Sequence, residues 1–197
     1  RHIFIDSPTG SGKSIIALEL ARLFKQESYI LTEDFFLQKQ YEDAVDNFGY
    51  DNVGTIASGN QYTCIKNNLP LKTHGECVIK RMKISKIVKE LDCARECQFF
   101  HKRVNTPLRK AIVTNYAYYL KAMNYTYQQL GIGQSYNNIY DLYANYNPFG
   151  YGDSVAPFLP RKVMILDEAH KIPDQIQNAF AFEMNHKFLE DLHEVKY

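Results

Sequence analysis

The stretch "DSPTGSGKSIIALEL", Asp6–Leu20, decides the fold, because it sets small, flexible residues and one lysine between two apolar segments. The segment before it, His2–Asp6, is a short apolar run that predicts a buried strand. The segment after it, Lys13–Phe24, carries apolar residues at helical spacing. Between a strand and a helix, small residues let backbone N–H groups converge on a phosphate, and the helix N-terminus adds its positive end. We therefore predict a phosphate-binding loop, with contacts from Pro8, Thr9, Gly10, Ser11, Gly12, Lys13 and Ser14.

Two residues of this loop have distinct predicted roles. Lys13 is expected to reach the β- and γ-phosphates of a nucleotide, and the Ser14 hydroxyl is expected to hold Mg²⁺. The pattern G-x-x-x-x-G-K-[ST] is met except at its first position, where Ser7 replaces glycine. The alternative is an ordinary Ser/Gly turn, in which Ser11 or Ser14 caps a helix.

A second motif, "MILDEAH" at Met164–His170, is an apolar strand that ends in two adjacent carboxylates. The carboxyl end of a strand faces the crevice where α/β sheets bind ligands. We expect Asp167 to hold Mg²⁺ through water and Glu168 to orient and deprotonate the attacking water. His170 is expected to sense the γ-phosphate or to contact a second domain. The alternative is a solvated helix start, since Asp and Glu favour helix N-termini. Together the two motifs predict a chain that binds a nucleoside triphosphate.

Composition and patterning predict one α/β domain that carries an insertion. Hydrophobic residues make up 45% of the 197 residues and charged residues 23%, which is ordinary globular usage. Apolar runs separated by helical segments predict a parallel sheet covered on both faces. The expected strands after the first are Tyr29–Thr32, Val53–Ala57, Ala111–Asn115 and Lys162–Asp167, and a polar helix is expected through Gln38–Val45. A long, partly irregular insertion is expected over Tyr125–Pro160.

The four cysteines lie between the two nucleotide motifs, at Cys64, Cys77, Cys93 and Cys97. In a chain without an export signal or a membrane span they indicate metal ligands or reduced thiols, and we expect a cytoplasmic protein, nuclear if eukaryotic. Cys93 and Cys97 are four apart in a segment expected to be helical, so both thiols should share one face. One close pair and two single positions suit a [4Fe–4S] cluster. Zinc with His74 or His101 as a ligand, and unrelated thiols, stay open.

The cysteine segment is also strongly basic. Residues 60–110 hold twelve Lys and Arg and four Asp and Glu, a net charge of +8 in a chain whose net charge is +1. Interleaved with Tyr62, Phe99 and Phe100, these charges fit a path for single-stranded nucleic acid, with phosphates on the cations and bases stacked on the rings. The alternative is a solvated helix face such as Lys80–Lys89.

The order of phosphate loop, Cys-rich segment, "VTNYAYYL" (Val113–Leu120) and "DEAH" resembles the iron–sulfur DNA helicases of superfamily 2, of the XPD and DinG kind. "LTEDFFLQKQY" (Leu31–Tyr41) resembles the segment with which that family touches the DNA backbone. "QYTCIKN" (Gln61–Asn67) resembles the segment around its first cluster cysteine. The resemblance implies DNA contacts by Thr32, Gln40, Thr114, Asn115 and Tyr116.

This resemblance implies a RecA-like motor domain formed by residues 1–59 and 111–181, a cluster insert at 60–110, and the start of a helical arch-type insertion at 182–197. It also implies ATP-driven 5′–3′ movement on single-stranded DNA, with the insert as a wedge at the fork. Since Arg1 lies inside a predicted strand and the later helicase motifs are absent, we expect an N-terminal fragment that works with a second RecA-like domain. The rivals are a DEAH-type RNA helicase or translocase with a zinc insert, and a truncated module that binds nucleic acid without turnover.

Overall fold

A computed structural model describes residues 3–6, 8, 10–24, 26–80, 87, 89–129 and 161–180. The strands that it describes are β1 (Ser28–Thr32), β2 (Val53–Thr55), β3 (Thr63–Cys64), β4 (Leu69–Pro70), β5 (Ala111–Asn115) and β6 (Val163–Leu166). The described helices are α1 (Lys13–Leu23), α2 (Phe35–Phe48), α3 (Leu71–His74), α4 (Glu76–Ile79), α5 (Gln98–Asn105), α6 (Tyr116–Gln129) and α7 (Ile172–Phe180). Short 3-10 helices lie at Gly59–Gln61, Asp92–Arg95, Thr106–Leu108 and Ala169–Lys171.

Two predictions fall largely outside the described residues. The arch-type segment at 182–197 lies there entirely, and so do residues 130–160 of the predicted irregular insertion. Residues 125–129, which the same prediction included, are the last residues of α6. Among the described helices, none combines the length and the apolar character that crossing a membrane requires.

Four parallel strands form the central sheet in the order β2-β5-β1-β6. These strands confirm the four segments that the sequence predicted after the first, with shifts of one or two residues at their ends. All five residues of β1 and all five of β5 are buried, as expected of strands covered on both faces. The α/β architecture is therefore confirmed.

The first predicted strand is wrong in its described part. Residues 3–6 form no strand, and the side chains of Ile3 and Phe4 are 80% and 91% exposed. Apolar composition alone does not make a strand, because a strand forms only where its backbone exchanges hydrogen bonds with a neighbouring strand. On the far side of β6 from β1, no strand of the described residues is paired.

Each face of the sheet carries its own core. Because side chains alternate along a strand, Tyr29 and Leu31 point to one face while Ile30 points to the other. Helices α6 and α7 contribute to the first core, which contains Tyr29, Leu31, Ile56, Ile112, Tyr116, Ala122 and Met123, with Ile172 packed against it. Helices α1 and α2 contribute to the second, which contains Ala17, Leu18, Ala21, Ile30, Tyr41, Ala111 and Val113.

Helix α2 begins at the edge of the sheet where β1 ends. The carboxylate of Asp34 caps it by accepting a hydrogen bond from the Leu37 N–H at 2.9 Å. Gly49, in the left-handed conformation, ends it. The helix thus begins three residues before the predicted Gln38, because the cap and not the polar pattern sets its start.

In its described residues, the segment between the sheet strands β2 and β5 is mainly helical, with a small β3–β4 hairpin near its beginning. Its own core contains Ile87, Leu91 and Ala94, with Cys77, Cys93 and Phe100 packed against them. The expected continuous helix through both Cys93 and Cys97 is wrong. Asp92–Arg95 is a 3-10 helix, and Cys97 has extended backbone at the N-cap of α5, so the helix restarts between the two thiols.

Gly54→Ala is expected to lower the free energy of unfolding by about 1–3 kcal/mol, the usual cost of overpacking. A Cβ at this position in β2 would lie 2.9 Å from Cγ of Arg109 and 2.9 Å from Cγ2 of Thr106. Urea unfolding measures the loss. Gly59→Ala is the matched control, because its Cβ would meet only the Phe99 ring at 3.9 Å. Equal stability of the two variants would contradict this packing.

Candidate nucleotide site at the carboxyl edge of the sheet

The predicted phosphate loop has a backbone shape that suits an anion. Gly10 and Gly12 both lie in the left-handed region, with φ of 81° and 83°. A Cβ at either position would meet nothing within 4 Å, so glycine is needed there for conformation and not for space. Alternation of left-handed residues with their neighbours turns successive N–H groups toward one concavity, which binds anions. Pro8 and Ser11 are joined across the turn by a backbone hydrogen bond of 3.3 Å, and Thr9 lies outside the described residues.

The loop passes directly into α1. Gly12 is the N-cap, and its carbonyl accepts the first helical hydrogen bond from Ile16 at 3.0 Å. Lys13 and Ser14 are therefore the first two residues of the helix, where the backbone N–H groups and the helix dipole both favour negative charge. No side chain caps this N-terminus.

The structure brings the two predicted motifs together. Lys13 Nζ lies 3.6 Å from Oε1 of Glu168, and each side chain is 30% exposed. A half-exposed ion pair of this kind contributes little stability, about 0–1 kcal/mol. The position of this ion pair matters more than its strength. It shows that the lysine of the phosphate loop and the second carboxylate of the acidic motif lie next to each other at the protein surface.

Glu168 is held in an unusual conformation. Its φ of 53° places it in the left-handed region, which costs a non-glycine residue about 1–3 kcal/mol. The Lys171 N–H donates to its carbonyl at 2.9 Å, and the carboxylate lies 3.4 Å from Nδ1 of His170. The strained turn thus carries the carboxylate between Lys13 and His170. Side chains of the predicted catalytic set Lys13, Glu168 and His170 are brought together.

Asp167 is fixed by three hydrogen bonds. Its N–H donates to the Leu31 carbonyl at 2.9 Å, which continues the β1–β6 pairing by one residue. The hydroxyl of Tyr41 donates to its Oδ2 at 3.0 Å, and the hydroxyl of Tyr116 donates to its carbonyl at 2.9 Å. The Ser14 side chain lies near the Tyr41 hydroxyl. The two predicted magnesium ligands, Ser14 and Asp167, therefore share one neighbour.

The hydroxyls of Tyr41 and Tyr116 stay protonated next to Asp167. Burial, and after it the negative charge of Asp167, raises the pKa of Tyr41 far above its usual range. Burial and the same carboxylate raise the pKa of Tyr116 as well. Both hydroxyls are thus donors toward Asp167.

Sequence reasoning missed Tyr41, whose sequence context is that of an ordinary amphipathic helix.

Four of the five predicted DNA contacts are buried in this conformation. Thr32 and Thr114 are fully buried, and Asn115 and Tyr116 are nearly so, whereas Gln40 on α2 is exposed. Tyr116 supports Asp167, as described above. The buried residues lie beneath the carboxyl edge, so their side chains support that surface. Their DNA contacts stay predictions.

The hydrogen bonds of these residues are internal. The hydroxyl of Thr32 donates to the Asp34 carbonyl at 3.0 Å, and that of Thr114 donates to the Ile56 carbonyl at 2.7 Å. The amide of Asn115 donates to Oε1 of Gln38 at 3.2 Å. These bonds tie the ends of β1 and β5 to α2 and to the residues that follow β2.

The four cysteines converge, although they come from separate elements. Cys64 and Cys97 are buried, Cys77 and Cys93 are partly buried, and all four are reduced thiols. Burial first, and then the charges of Cys97, Cys64 and Cys93, raise the pKa of Cys77. Among the described residues, no group of three His, Cys, Asp or Glu side chains is arranged to hold a single metal ion.

A small cavity lies between three of these thiols. It is lined by Cys77, Cys93 and Cys97 together with apolar side chains of the insert, namely Ile87, Leu91, Ala94, Phe99 and Phe100, and by Arg103. The alternative zinc ligands are engaged elsewhere: Nε2 of His101 lies 2.6 Å from the Arg95 carbonyl, and Nδ1 of His74 lies 2.8 Å from the Thr73 hydroxyl.

The aromatic residues of the insert pack inside the protein. The rings of Tyr62 and Phe99 have centroids 5.0 Å apart, and the Tyr62 hydroxyl accepts a hydrogen bond from the Ala57 N–H at 3.2 Å. Lys102 lies 5.9 Å from the centre of the Tyr62 ring and forms an ion pair with Glu42 of α2. The predicted stacking of bases on Tyr62 would therefore require that side chain to leave its present contacts.

Most of the described cations of the insert remain on the surface. The exposed ones are Lys66, Lys72, Lys80, Lys89, Arg95, Arg109 and Lys110, whereas Arg81, Lys83 and Lys86 lie outside the described residues. Lys66 and Lys80 lie 3.9 Å and 2.7 Å from the carboxylate of Glu76. The basic character that the sequence predicted is therefore displayed to solvent over this part of the chain.

Comparison with known proteins gives one family. The family model described as "Type III restriction enzyme, res subunit" matches residues 1–191. Among curated proteins and among solved structures, no match is found. The matched range includes both the phosphate loop and the acidic motif.

Gly12→Ala is expected to weaken ADP binding about five- to thirty-fold, because an L residue pays about 1–2 kcal/mol in the left-handed region. Isothermal titration calorimetry with Mg²⁺ present measures this loss. Gly49→Ala is the matched control: its φ of 68° also lies in the left-handed region and its surroundings are equally open, but it ends α2 and does not touch the loop. The assignment of the loop would be contradicted if the two variants changed ADP affinity equally.

Proposed function

We propose that this chain, which belongs to the Type III restriction enzyme res subunit family, is the first motor domain of an ATP-dependent DNA helicase. Membership of that family makes it a P-loop helicase domain of superfamily 2, with a RecA-like α/β fold, and places it among the nucleic-acid motors that hydrolyse ATP. Movement along single-stranded DNA in the 5′–3′ direction, duplex unwinding and an iron–sulfur insert are the further parts of the proposal.

The observation that carries the proposal is the contact of Lys13 with Glu168 at 3.6 Å, beside Ser14 and the carboxylate of Asp167, which Tyr41 holds in place. A triphosphate bound in the glycine turn would offer Lys13 phosphate oxygens in place of the carboxylate. Glu168 would then be released toward the γ-phosphate, where a carboxylate can orient a water molecule and accept its proton. Nucleotide binding and activation of the base are thereby coupled through one lysine.

Ser14 and Asp167 are the residues that would hold Mg²⁺. Oxygen ligands of this kind suit the ion, which supplies positive charge to the β- and γ-phosphates when bound. The chain's own contribution is positional: Asp167 is fixed through its N–H, its carbonyl and its Oδ2. His170, 3.4 Å from Glu168, is placed to respond when that carboxylate moves. A second RecA-like domain would close over the nucleotide and convert this movement into a step along DNA.

A single-stranded nucleic acid is proposed as the track because the insert is basic, and DNA is proposed over RNA from the family resemblance described above. Its net charge of +8 contrasts with +1 for the whole chain, and the described cations named above are exposed. Phosphates of a single strand bind such a surface without sequence preference. Gln40, exposed on α2, is the predicted DNA contact that a strand could reach without rearrangement. The polarity rests on the family resemblance described above.

The cysteines fit a [4Fe–4S] cluster through their chemistry. A cluster is held by four thiolates, and this insert has four thiols, of which Cys77 has a pKa raised first by burial and then by the other three. Three of them line one cavity with apolar walls. Cys64, Cys77, Cys93 and Cys97 would hold the cluster, which supplies positive charge that stabilises all four thiolates at once. Its role in the proposed function is to fix the shape of the insert.

Lys13→Ala is expected to lower DNA-stimulated ATP turnover by about 10²–10³-fold, the usual effect of removing a positioned donor to developing negative charge. Phosphate release by the protein together with its proposed second RecA-like domain measures it, with single-stranded DNA and RNA compared as activators. Lys39→Ala is the matched control, since Lys39 is an exposed lysine whose partners Glu42 and Asp43 lie on its own helix.

Retained turnover in Lys13→Ala would refute the motor assignment. Stimulation by RNA and not by DNA would instead favour an RNA translocase. Wild-type binding of nucleic acid with no turnover at all would favour a binding module.

The protein purified without air is expected to be brown, with broad visible absorbance and about four irons per chain. Cys77→Ser should lose both colour and iron, whereas His101→Ala, which removes an alternative zinc ligand, should keep them. Visible spectroscopy and metal analysis are the measurements. A colourless protein with one zinc per chain would exclude the cluster.

A further inference from the structure

The hydroxyl of Tyr41 lies between the two side chains proposed to hold Mg²⁺. Tyr41 is completely buried on α2, its Oη donates to Oδ2 of Asp167 at 3.0 Å, and the Ser14 side chain lies near the same hydroxyl. We infer that Tyr41 is a positioning residue that sets the spacing and the orientation of Ser14 and Asp167 for a Mg²⁺–nucleotide complex. This inference rests on the proposed function.

The proton count of this group fixes the direction of each hydrogen bond. An ionised carboxylate only accepts, so the single phenolic proton of Tyr41 goes to Asp167. A contact of Ser14 with the tyrosine oxygen then has Ser14 as its donor. A hydroxyl that donates in this way keeps its oxygen lone pairs for another partner, and a cation is the partner that lone pairs attract. Tyr41 thus orients Ser14 and Asp167 so that their oxygen lone pairs are available to a metal ion.

The ring of Tyr41 is fixed by packing, so its hydroxyl has a defined position. It packs in the core between α1 and the sheet, with Leu18, Ile30 and Val113, each of them fully buried. On the same helix, Gln38 accepts a hydrogen bond from the buried Asn115. A side chain fixed by packing on a capped helix transmits its position to the groups that it contacts.

A purely structural role is the competing explanation, because any buried tyrosine hydroxyl needs a partner. The two roles differ in what they predict for magnesium. A structural role would affect nucleotide binding equally with and without the metal. A positioning role would affect the binding that depends on Mg²⁺ and leave the metal-free binding intact.

Tyr41→Phe separates these roles, since it removes the hydroxyl and keeps the ring. The affinity of the purified protein for ADP is measured by calorimetry in Mg²⁺ and in EDTA. Loss of a hydrogen bond to a charged group corresponds to about a tenfold loss of Mg²⁺-dependent affinity. The affinity in EDTA is expected to stay within about twofold of wild type, a difference well below one hydrogen bond.

Tyr50→Phe is the matched control. It also removes a phenol–carboxylate hydrogen bond, from Tyr50 to Glu19 at 2.7 Å, but that carboxylate is not a proposed ligand. This variant should match wild type in both buffers.

Each outcome decides the inference. An unchanged ratio of the two affinities in Tyr41→Phe would overturn it. A loss of affinity in EDTA as well would also overturn it, because the hydroxyl would then serve the fold and not the metal. If the wild-type protein itself showed no Mg²⁺-dependent binding of ADP, the proposed function would fail first.

Discussion

The parallel register of β1 with β6 is the constraint on which the candidate site depends. Leu31 is paired with Leu166, the last residue of β6, and Asp167, which follows it, donates its N–H to the Leu31 carbonyl at 2.9 Å. A slip of one residue would reverse the face of every side chain on the strand. With this register, the acidic pair leaves the sheet at the edge where α1 begins, and Glu168 meets Lys13.

Helix α2 connects this edge to the rest of the chain. Gln38, Tyr41 and Glu42 lie on one face of the helix at spacings of three and four residues. They contact Asn115 at the end of β5, Asp167 at the end of β6, and Lys102 in the cysteine insert. One rigid helix is thus in direct contact with the sheet, the proposed magnesium site and the proposed DNA-binding segment.

The strands and the pairing of the two motifs could be predicted from the sequence, because both depend on local patterns. Apolar runs marked the buried strands, and glycines at the positions that need φ > 0 marked the loop. The first predicted strand failed because pairing depends on a neighbouring edge, which lies outside its own residues. The helix through Cys93 and Cys97 failed because Cys97 adopts extended backbone and starts a new helix. Tyr41 was missed because its role depends on contact with Asp167, which is distant in the chain.

The most direct test of the central claim is a crystal structure of the protein with Mg²⁺ and a non-hydrolysable ATP analogue. The account predicts that the β-phosphate lies in the turn formed by Gly10–Gly12 and that Lys13 leaves Glu168 for phosphate oxygens. It also predicts that Mg²⁺ lies between Ser14 and Asp167. A nucleotide bound elsewhere on the sheet, with Lys13 still paired to Glu168, would contradict it.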